Sequence, residues 1–194
     1  MQVIKSYHRI LDLKEKHVDT ETLGILVRAI TENREDSCGL PASRLAPTAQ
    51  KLFGRLTSQV VNNAQVWEIY ADLIANLSEP DESDKLFRVA QTLQKAYRSA
   101  VMMDSWEKDV QVCCTTLKQC IKFADSCLAC LGCVSISKEM EQLVKSARLS
   151  LRSAISQVKR CYEFDIPSNV SPEVESLEQK VSAIDQMLSS STSR

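Results

Sequence analysis

Apolar residues recur at steps of three and four along most of the chain, the period of a single helix face. Val3, Tyr7, Ile10 and Leu11 predict a helix over 2–16. Leu23, Leu26, Val27 and Ile30 predict a second, capped by Asp19 or Thr20. ENREDSCGLPASRLAP then breaks the pattern, and Gly39, Pro41 and Pro47 make residues 34–47 a predicted loop. A third helix is expected from Pro47, placed in its first turn, to Val61, with Leu52, Phe53, Leu56 and Val60 on its apolar side. A fourth spans Ala64 to Leu77. After the acidic SEPDESD loop, a fifth spans Ser83 to Met102, with a stripe running from Leu86 through Leu93 and Tyr97 to Ala100.

Asp104-Ser-Trp-Glu107 resembles a capping box with Asp in the first slot, predicting a long helix from there to Leu131, with Gly132 as a left-handed stop. Ser137 is the expected cap of another helix reaching Phe164. Its stripe is Met140, Leu143, Val144, Ala147, Leu151, Ala154, Ile155 and Val158. Ser171-Pro172 predicts the start of the last helix, which places Val174, Leu177, Val181, Ile184 and Leu188 on one side. Residues 189–194 are expected to be a disordered tail. No strand pattern competes, so the fold class is all-α.

Composition agrees. The chain has 194 residues with only 4 Gly and 5 Pro, and its 24 Lys+Arg nearly cancel its 25 Asp+Glu. That balance gives no reason to expect nucleic acid or an anionic membrane as direct partner. No apolar run approaches the roughly 18–20 residues that span a bilayer, and no signal pattern opens the chain. Charge does vary locally. Residues 138–160 carry six basic against two acidic side chains, and residues 171–188 four acidic against one Lys. Those two helices are expected to pack with complementary charge.

Six of the 8 cysteines fall between Cys113 and Cys133. Without a secretory signal they read as reduced thiols. Cys120, Cys127, Cys130 and Cys133 have spacings that could ligate zinc or an iron–sulfur cluster, and a redox role is a further alternative. Structural zinc sites, however, favour turns, whereas Leu128, Ala129 and Leu131 fill these gaps. Trp106, Val110, Cys113, Leu117, Cys120, Ala124, Cys127 and Leu131 follow helical steps without a miss, so packing is the favoured reading. The exposure of Cys114, Cys130 and Cys133 stays open. Gly-rich phosphate loops, a nucleophile elbow and EF-hand spacing are absent. His8 reads as a solvated surface histidine. No catalytic residue and no cofactor is expected.

Trp67-Glu-Ile-Tyr70-Ala71-Asp-Leu-Ile74 resembles the first helix of a tetratricopeptide repeat, W-x2-L-G-x2-Y. Tyr70 takes the Leu slot, Ala71 the Gly slot and Ile74 the Tyr slot. Ala90 and Leu93 to Tyr97 supply the second helix. Val3-x3-Tyr7 is similar to the A-x3-F of a second helix with no first helix before it, so the chain is expected to start in mid-repeat, as a fragment or short isoform. YHRILDLKEKH, ILVRAITEN, LFGRLTSQV, WEIYADL, SEPDESDKLF, QKAY, SWEKDV and ARLSLRS, in this order, resemble the C-terminal part of the tetratricopeptide repeat protein twenty-seven family.

That resemblance implies helical hairpins of a tetratricopeptide-like right-handed solenoid: degenerate repeats over 1–104, then a long-helix C-terminal cap over 105–188. It implies a non-enzymatic adaptor in chaperone-assisted assembly of spliceosomal particles, with spliceosomal or chaperone proteins as partners and a cytoplasmic or also nuclear location. Partner contacts are expected at loop 34–47 and at the groove near the third to fifth helices, with Trp67 and Tyr70 in the core. Glu68 and Asp72 occupy slots where repeats that clamp acidic chaperone tails carry basic residues and Asn, so that clamp is not expected in this repeat.

Overall fold

A computed structural model describes residues 20–31, 42–59, 62–77, 81–163 and 165–191. The helix expected over 2–16, His8, and residues 34–41 of the predicted loop lie outside the described residues. Those described form seven helices: α1 (Thr20–Thr31), α2 (Ala42–Gln59), α3 (Ala64–Ala75), α4 (Glu82–Val101), α5 (Val110–Leu131), α6 (Lys138–Cys161) and α7 (Ser171–Ser191). The all-α expectation holds.

Several helix ends differ from expectation for local reasons. Helix α2 begins at Ala42, so residues 42–46 are helical and Pro47 lies inside rather than at the start. The missing Pro47 N–H leaves the Ser43 carbonyl without its helical donor. Asp81 caps α4, its carboxylate accepting from the Ser83 and Asp84 amides at 2.9 and 3.2 Å. The last residues of the acidic stretch thus begin a helix, where Glu82 and Asp84 sit favourably at the positive end of its dipole.

The capping box at Asp104 does not form. Residues 102–109 make a turn that includes Ser105 at φ 57, a left-handed conformation that no helix continues through. Asp109 is the cap of α5 instead, accepting from Gln111 and Val112 at 2.9 and 3.0 Å. At the far end Gly132 does terminate α5, but in the right-handed region at φ −77, so its left-handed freedom is unused. Ser137 caps α6 as expected, accepting from the Met140 amide at 3.1 Å, and α6 ends at Cys161, short of Phe164. The Val170 carbonyl accepts the first bonds of α7, from Glu173 and Val174, so the cap lies one residue before Ser171. Helix α7 continues through Ser191, which makes the first three residues of the expected tail helical.

Sequential helices pack against each other, and α1 with α3, α4 with α6 and α5 with α7 also meet. Leu23, Leu52, Phe53, Leu56 and Ile74 are buried where α1, α2 and α3 come together. A second, larger core runs without interruption from Ala71 through α4 and α5 to Leu188 on α7. Tyr97 ties it across: its ring stacks on Phe123 at 5.7 Å, and its hydroxyl donates to the Ser150 carbonyl of α6 at 3.0 Å. The charge complementarity expected of the last two helices is present. Arg148 and Arg152 both pair with Asp185, and Lys159 with Glu178 at 2.7 Å. None of the described helices is long and apolar enough to cross a membrane.

Candidate functional site

The cysteine helix is a packing face. Cys113, Cys120, Cys127 and Cys130 are fully buried and Cys114 nearly so. The repeating line from Trp106 to Leu131 is buried apart from a half-buried Val110. Cys114 donates to the Asn169 carbonyl at 3.1 Å and Cys130 to the Leu86 carbonyl at 3.6 Å, while Cys133 turns back to its own helix at Ala129. Burial, with help from the neighbouring Cys133, pushes the Cys130 thiol up to about 11. Burial likewise pushes Cys113 up to about 11, with Cys114, Cys161 and Glu107 adding to it. Cys120 and Cys127 are raised as well, again chiefly by burial.

The alternative of Cys120, Cys127, Cys130 and Cys133 as metal ligands is therefore overturned. Among the described residues no group of three or more His, Cys, Asp or Glu side chains is placed to hold a metal ion. A ligand must be a thiolate, and burial holds Cys120, Cys127 and Cys130 as thiols. The same protonation makes them poor nucleophiles for redox exchange.

The motif-like residues of the α3–α4 pair are largely buried between the helices. Trp67, Ala71 and Ile74 are buried on α3, and Ala90, Leu93, Ala96 and Tyr97 on α4. The small Ala71 lets α4 approach closely. Tyr70 is only half-buried and stacks flat on Phe53, 5.1 Å away and 2° from parallel, which joins α3 to α2. Lys95 lies over the Trp67 ring at 4.7 Å, a cation–π contact of about 0.5–1 kcal/mol at an exposed site.

Glu68 and Asp72 look across to α5, where Lys122 pairs with Glu68. Burial pushes the Asp72 carboxyl above its ordinary value; Lys122 opposes the shift and Glu68 adds to it. Helix α5 is then tied to α7 by Lys118 with Glu173 and Lys180 with Asp125. Ion pairs thus cross from α3 to α5 and from α5 to α7.

Beside the Glu68–Lys122 pair an open groove of about 320 Å³ runs between the start of α3, the end of α4 and the first half of α5. Ala100, Met103 and Val112 give it an apolar wall. Asn62, Asn63, Gln65, Thr115 and Gln119 give it an uncharged polar one. Met103 at its lip and the adjoining Met102 are 54% and 73% exposed, unusual for such apolar side chains. Such a groove can bind an extended chain; it holds no nucleophile–base pair. Part of it falls where partner contacts were expected, at α3 and α4. The share of α5 goes beyond that expectation, because the apolar stripe with its cysteines lies on another side of that helix. The signal was available: Gln111, Thr115 and Gln119 are spaced by four, a polar row beside the apolar one.

In comparison with known proteins, 93 residues of this chain (47% of it) are 32% identical to the Tetratricopeptide repeat protein 27 homolog of Dictyostelium discoideum. The match covers 10% of that protein, so the chain spans about a tenth of the length of the curated relative it matches. This bears out the resemblance read from the sequence. No family model matches the chain, and no solved structure matches it.

Proposed function

We propose that this protein is a non-enzymatic, protein-binding helical-repeat segment that holds a partner in the groove between α3 and α5. The observation that carries the reading is the groove itself, open, uncharged in its lining and with the exposed Met103 at its lip, on a helix pair that resembles the repeat motif. The odd-numbered helices are the natural inner row of a right-handed tetratricopeptide-like solenoid, with α5 to α7 as the cap that covers the last repeat's apolar face. The continuous core from α3 to α7 supports that role for residues 105–188.

The family resemblance supports a finer proposal. The partners would be chaperone or spliceosomal assembly factors, met in the cytoplasm or nucleus. Recovery of such proteins on the immobilised chain tests it. Met103→Glu in the groove should abolish recovery at unchanged helicity, whereas Leu149→Arg on the exposed side of α6 should not. Equal recovery by both variants would rule out the groove as the binding surface.

A further inference from the structure

We draw no further inference here: the strongest candidate, another open groove of about 710 Å³ between the start of α4 and the end of α5 with the half-buried Cys133 thiol beside Leu86 and Val134 on its wall, carries nothing, because nothing in the structure shows what covers it.

Discussion

The Tyr97 hydroxyl donates to the Ser150 carbonyl, joining the repeat-like pair to the helices that follow across 53 residues of sequence. The same ring stacks on Phe123, so one side chain links α4, α5 and α6. Tyr97→Phe keeps the stack and removes one neutral hydrogen bond, an expected loss of about 0.5–1.5 kcal/mol. Tyr97→Ala also opens a cavity and should cost about 3–5 kcal/mol. Urea unfolding of both variants checks the separation; equal losses would mean that the hydroxyl, not the ring, holds the joint.

The buried thiols set an alkaline limit. Burial raises Cys113 and Cys130 from an ordinary value of 9.0 to about 11 in the folded chain. A folded value above the unfolded one means that the stabilisation is complete below 9 and is lost as pH rises through 11. Thermal midpoints should therefore fall steadily from pH 9 upward. A flat profile to pH 11 would show that these sulfurs are open to water.

Thiol reagents should distinguish the cysteines under native conditions. Cys161 is exposed and Cys133 half-buried, so both should react promptly, whereas Cys113, Cys120, Cys127 and Cys130 should react only on unfolding. A chelator should leave helicity and the melting midpoint unchanged. Within the buried set, Cys120→Ser gives a hydroxyl whose one outlet is its own helix backbone, the bond Ser126 makes to Phe123, so it should lose no more than about 1 kcal/mol relative to Cys120→Ala.

Helix α5 has one functioning cap. Asp109→Ala removes the acceptor for two first-turn amides and should cost about 1 kcal/mol. Asp104→Ala, at the sequence's apparent capping box, should cost nothing measurable. Denaturant midpoints of the two variants decide it, and the reverse order would restore the longer helix expected from sequence.

These two aspartates show where the sequence was readable and where it was not. The stripe from Trp106 to Leu131 was plain from its spacing, because a buried helix face must repeat, and so was the Ser137 cap next to an apolar run. Asp104 and Asp109 both precede suitable residues, and only the tertiary position of Trp106, buried with Ser105 turned left-handed, selects between them. Pro47 misled similarly: its first-turn preference is real but weaker than whatever extends α2 back to Ala42. The groove was half legible. Trp67 and Ala71 announced the helix pair, but Gln119 on the groove wall is held by the Glu68 carboxylate 51 residues away, and local patterning carries no trace of that pairing.

The Glu68–Lys122 contact has a mechanical consequence. Helices α3 and α5 are bridged by an ion pair open to water, with Lys122 half exposed, at the edge of a core that continues through α4. A joint of that kind is a soft spring whose stiffness belongs partly to the solvent. Raising ionic strength weakens its pull without disturbing the apolar core beneath it. The width of the groove is then a property tuned by the medium, and small-angle scattering across a salt series would read that compliance as a change in the molecule's length.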